Sequence, residues 1–106
     1  MIPEVTPAEL ALEMATDHPP VLVDVREDYE LDISKLEGVK HIPLNLLPER
    51  MNELNRDDNI VIVCRSGARS GRATMFLLGQ GFRSVRNLST GMNGWASTVD
   101  PSVRAY

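Results

Sequence analysis

Asn59-Ile60-Val61-Ile62-Val63-Cys64, followed at once by Arg65-Ser66-Gly67-Ala68-Arg69-Ser70, is the stretch from which the fold is read. Its first part is an unbroken apolar, β-branched run. Such a run marks a strand covered on both faces, as in a parallel sheet between two layers of helices. From Ser70 to Gln80 the spacing changes: Ala73, Phe76, Leu77 and Gln80 fall at helical intervals, and Gly79-Gln80-Gly81 supplies a glycine C-cap. A buried strand therefore delivers Cys64 to its carboxyl end, and a short polar loop leads into a helix.

The same alternation extends in both directions. Upstream, Val21 to Val25 is a second buried run in which Asp24 is the odd residue. Thr6-Pro7-Ala8-Glu9 matches a capping box with proline at the first helical position, opening a helix through about Met14 that Asp17-His18-Pro19-Pro20 stops. Between the two runs the pattern predicts a short helix from Glu27 to about Ile33 and a short strand over Val39-Lys40-His41-Ile42. A further helix is expected from Leu44 to Leu54, with Leu46, Leu47, Met51 and Leu54 inward. Downstream, Ser84 to Leu88 reads as another strand. The expectation is an α/β fold, a single compact domain over residues 1–106 with a mainly parallel central sheet and helices on both faces. Ligands of such sheets bind beyond the carboxyl ends of the strands, where residues 64 to 69 lie.

Composition narrows the chemistry. The chain has 106 residues, 42% hydrophobic and 25% charged, enough for one core. No stretch of 18 apolar residues is present, so no membrane partner is expected. Met1 to Val5 lacks the basic and apolar regions of a secretory leader, which leaves a cytoplasmic location as the expectation. A single cysteine cannot form an internal disulfide or be resolved by a second one in the same chain. His18 and His41 show no ligand spacing, so neither metal nor cofactor is expected. The net charge of -4 is unevenly spread: ten of the fifteen acids lie in residues 1–37, whereas from Cys64 onward six arginines face one acid, Asp100. These arginines are not interleaved with aromatics, which argues against nucleic acid and for a small anionic substrate drawn to the basic half.

The loop itself reads as an anion cradle. A strand turning directly into a helix can point its backbone N–H groups at one spot, and Gly67 permits a positive φ. The helix start, Arg65 and Arg69 all favour a thiolate at Cys64 over a thiol. An unpaired cysteine at a strand end is by itself more often a small core residue. Two arginines and a glycine within five residues reverse that reading, because charged side chains are rarely buried unpaired.

Four stretches in this order resemble the rhodanese family over nearly the whole chain. They are Val23-Asp24-Val25-Arg26, Gly38 with His41-Ile42-Pro43 and Asn45, the loop Cys64-Arg65-Ser66-Gly67-Ala68-Arg69-Ser70, and Gly91-Met92-Asn93-Gly94-Trp95. The resemblance implies a sulfurtransferase. Cys64 would take the outer sulfur of thiosulfate or another small anionic sulfur donor as a persulfide, then pass it to cyanide, a thiol or an acceptor protein. The amides and side chains of Arg65, Ser66, Gly67, Ala68, Arg69 and Ser70 would bind the substrate. Leu44, where the family often has a small residue, and Thr90, where it often has glycine, depart from the pattern.

Two other classes stay open: a cysteine-dependent phosphatase or arsenate reductase, and a non-catalytic rhodanese-like binding module. Loop length separates the first of these, since phosphatase-type loops place five residues between cysteine and arginine and here there are four. Among the remaining residues, Asp24 is expected to pair with an arginine of the basic half and Arg26 to serve the scaffold. His41 is expected to be hydrogen-bonded in the fold and Trp95 to pack in the core.

Overall fold

β4 (Asn59–Val63) sits at the centre of the molecule because neither of its faces can meet water. In the computed structural model, which describes residues 2–106, Ile60, Ile62 and Cys64 turn into one apolar layer, while Val61 and Val63 turn into the other. This is the period-two alternation of a strand with a hydrophobic layer on each side. On the first face lie Val23, Val25, Ile42 and Leu47, with Ala73 and Leu77 from α4 (Ala68–Gly79). On the second lie Leu10 of α1 (Pro7–Met14) and Met92 and Trp95 of α5 (Gly91–Thr98).

Five strands form one wholly parallel sheet in the order β1-β5-β4-β2-β3. The others are β1 (Glu4–Val5), β2 (Val21–Asp24), β3 (Lys40–His41) and β5 (Ser84–Leu88). From β2 the chain goes outward to β3, then returns on the other side to β4. The order thus reverses between β2 and β4, and at that switch point Asp24 ends β2 while Cys64 follows the last residue of β4.

α1 has the expected capping box, Thr6 and Glu9 bonding each other's backbone N–H at 3.2 and 2.9 Å. α4 ends as expected in a Schellman motif: Gly81 at φ +89° donates to Leu78 and Phe82 donates back to Leu77. Two expectations change. The helix expected over 44–54 is broken into 3-10 turns at Leu44–Leu46 and Met51–Glu53 around α3 (Leu47–Arg50). Pro48 has no N–H to give to Leu44, whose carbonyl takes the N–H of Leu47 instead, a tighter bond. α4 starts at Ala68 rather than Ser70, so Ala68 and Arg69 of the expected loop are helical. β1 and α5 had no periodic signal. β1 exists because Pro3 and Val5 accept N–H bonds from Asn87 and Ser89, both at 2.9 Å.

Candidate active site

The segment after β4 is held from outside by α5. Met92 and Asn93 donate their backbone N–H to the carbonyls of Cys64 and Arg65 at 2.8 and 3.1 Å. Turning those carbonyls outward leaves the following amides facing the sulfur. Gly91 permits the approach, since a Cβ there would collide with the backbone of Cys64 and Arg65. Gly67 takes φ +104°, open to glycine and costly for other residues, and this aims its N–H at Cys64 Sγ, 3.1 Å away. Ser70 Oγ, one turn into α4, lies 3.1 Å from the same sulfur. Burial pushes the Cys64 thiol up. The hydroxyl of Ser70 and the amides of Ser70, Gly67 and Ser66 outweigh it and hold the thiol below its ordinary range. Cys64 is 1% exposed.

The two loop arginines have partners within the chain. Arg69 makes a two-pronged ion pair with Glu30 of α2 (Asp28–Ile33), at 2.6 and 2.8 Å. That pairing holds the Glu30 carboxyl down at about 2. Arg65 is exposed, stacks on the Tyr106 ring at 5.1 Å and donates to the Tyr106 main-chain oxygen. The Tyr106 hydroxyl donates to Glu30 and accepts from Arg26, both at 2.7 Å. Ser66 and Ala68 are exposed at the rim.

Asp24 pairs within its own strand end rather than with the basic half. Arg26, two residues on and fully buried, receives it in a fork of bonds between 2.8 and 3.1 Å. The reason is geometric: with β2 and β4 in parallel register, Asp24 lies beside Val63, and no arginine of the basic half reaches it first. Arg26 also donates to the carbonyls of Glu30 and Ser34, which makes it the scaffold residue expected. His41 Nε2 lies 2.6 Å from the Arg26 carbonyl, and Trp95 is buried, both as expected.

Three residues that the sequence did not single out belong to this site: Glu30, Asn87 and Tyr106. Asn87 carried a signal, a polar residue in a buried strand like Asp24. Glu30 and Tyr106 carried none, because the partners that place them here are 39 to 80 residues away. A groove of about 600 Å³ runs past Ile2, Ala68, Gly71, Arg72, Met75 and Leu78, and Cys64 is not on its wall. Among the described residues no three His, Cys, Asp or Glu side chains converge as metal ligands would, and no helix is long and apolar enough to cross a membrane.

A thiol ringed by amides at a strand-to-helix turn is the setting in which the family comparison is decisive. The Rhodanese-like domain family matches residues 6–98. The chain belongs to the rhodanese family. Its match takes in α1, the Asp24–Arg26 pair, the cysteine loop and α5 of the rhodanese domain described here. A sulfurtransferase of Allochromatium vinosum is 36% identical over 96 residues, covering 91% of this chain and 90% of the relative. YrkF of Bacillus subtilis is 37% identical over 99 residues, and there the chain spans about half the relative, 54%. The crystal structure of a rhodanese-like domain protein from Staphylococcus aureus superposes with a TM-score of 0.86 at 28% identity, covering 99% of both chains. Relatives of this rhodanese domain thus include a sulfurtransferase.

Proposed function

We propose that this rhodanese domain moves a sulfane sulfur from thiosulfate, or from a persulfide donor, to cyanide or a thiol through a persulfide on Cys64. In the first step the Cys64 thiolate attacks the outer sulfur of thiosulfate. The new bond joins Sγ to that sulfur, the sulfur–sulfur bond of the donor breaks, and sulfite leaves with the electron pair. In the second, cyanide or a thiolate attacks the outer sulfur, and the Cys64 thiolate leaves.

The observation that carries this reading is the set of groups gathered on the sulfur, the Gly67 N–H and the Ser70 hydroxyl, which with the amides of Ser66 and Ser70 holds the thiol below its ordinary range. A thiol held below its ordinary range gives up its proton with less help from a general base. The amides from Arg65 to Ser70 would hold the donor anion and then the outer sulfur. Arg65 would meet the donor at the rim, and Arg69 would hold the start of α4 in place through Glu30. The short loop suits the terminal sulfur of a persulfide better than a tetrahedral phosphate.

Mass spectrometry after exposure to thiosulfate tests this directly. The wild-type chain is expected to gain one sulfur atom and to yield thiocyanate with cyanide, and Cys64→Ser to do neither while folding normally. The same preparation should leave a generic aryl phosphate intact. Full transfer by Cys64→Ser, or aryl phosphate hydrolysis through Cys64 without a persulfide, would overturn the reading.

A further inference from the structure

Behind Cys64 lies a buried polar pair of which sulfur transfer as described above uses only the Ser70 half. Ser70 is fully buried and Asn87, on β5, is 3% exposed. So placed, every polar atom of the pair needs a partner. Asn87 Nδ2 donates to the Gly67 carbonyl at 3.0 Å and to Glu4 Oε2 at 3.1 Å. Both partners only accept, so the amide cannot turn over, and its Oδ1 must face Ser70. The Ser70 hydroxyl donates to that oxygen at 2.5 Å, while the same hydroxyl oxygen lies 3.1 Å from Cys64 Sγ.

A serine hydroxyl has one proton to give. When Cys64 is a thiol the group closes as a chain, S–H to Ser70 Oγ and O–H to Asn87 Oδ1. When Cys64 is a thiolate the sulfur needs the hydroxyl proton, and taking it leaves Oδ1 without a donor where it is shut off from solvent. We propose that Asn87 is a positioning residue for Cys64, acting through Ser70, because its fixed amide oxygen competes with the sulfur for the single hydroxyl proton. Once the sulfur carries a second sulfur atom, as the proposed function has it, the inner sulfur bears no charge and the proton rests with Asn87. The pair therefore favours the loaded cysteine over the empty thiolate.

The other charges around the sulfur stay in place when Asn87 changes. They are Arg69 of α4 closed by Glu30 of α2, the Asp24–Arg26 pair at the end of β2, and Arg65 against Tyr106. Glu4 of β1, which is exposed, loses its Asn87 partner to water.

The test is the pH dependence of Cys64 alkylation by iodoacetamide in the wild type, Asn87→Leu, Ser70→Ala and the double variant. Asn87→Leu is expected to move the midpoint down, by on the order of one unit. Ser70→Ala should move it up, and adding Asn87→Leu to Ser70→Ala should change nothing more. An unchanged or raised midpoint in Asn87→Leu overturns the proposal. So does an equal drop in the Ser70→Ala background, which would mark a rearranged loop instead. If leucine prevents folding, Asn87→Ala carried through the same cycle decides by the same outcomes. The readout is ionisation, so a wild type that formed no persulfide would end the proposed function and leave this cycle still decisive for Asn87.

Discussion

Thr90 is the one described residue other than glycine with a positive φ, +64°. For a β-branched side chain this conformation costs about 1–2 kcal/mol. The turn is kept because Gly91 must follow it closely enough for α5 to bond Cys64 and Arg65. Glycine at 90 removes the strain and gives back part of it as unfolded-chain entropy. Thr90→Gly is therefore expected to stabilise the domain by up to about 1 kcal/mol, seen as a higher urea midpoint with unchanged slope. Gly91→Ala should do the reverse. Its Cβ has no room against the loop backbone, so a loss of more than about 2 kcal/mol is expected, together with slower Cys64 alkylation. A stable Gly91→Ala with unchanged alkylation would mean that α5 does not hold the loop.

Among the elements, α2 and α4 are joined by the Glu30–Arg69 pair, whose Glu30 side chain is 3% exposed. Glu30 titrates near 4.5 when the chain is unfolded and at about 2 when folded. A carboxyl held down in the folded state adds stability that is fully present above about pH 4.5 and is lost as the pH falls toward 2. The contribution is on the order of 2–3 kcal/mol. Urea unfolding at pH 6 and at pH 2.5 should show that loss in the wild type and a flatter profile in Glu30→Gln. Equal slopes would show that Arg69 is held by something else. This pairing ties Arg69, expected to meet the donor, to α2 at the first turn of α4 as well. Arg69→Ala should thus lower the urea midpoint as well as weaken use of thiosulfate.

Across the whole molecule, two ion pairs join the acidic and basic halves. Arg69 and Arg86 pair with Glu30 and Glu13, and Arg83 with Asp57. Among the described residues Arg65, Arg72 and Arg104 make no ion pair, so half of the six arginines of the basic half are left to draw an anion by long-range attraction. Tyr106 completes the closure, tying Arg65 of the loop to Glu30 and Arg26. Cys64 is 1% exposed, so reagents reach it through local opening of this rim. Tyr106→Ala should leave the core intact and speed alkylation of Cys64 several-fold at fixed pH. An unchanged rate would place the opening elsewhere.

Periodicity and punctuation in the chain were enough for the buried strands β2, β4 and β5, for α1 with its capping box and for the C-cap of α4, because these depend on contacts a few residues apart. The cysteine loop was legible for the same reason: residues, glycine and spacing all lie within Cys64–Ser70. Tertiary structure alone decided the rest. β1 is two residues that exist by pairing with β5, and α5, with two glycines and few good helix formers, is held by Met92 and Trp95 in the core. The partners of Asp24, Arg65 and Arg69, and the place of Asn87 behind the sulfur, were equally hidden. Each depends on which surfaces the parallel register brings together across tens of residues, and no local pattern in a single chain encodes that.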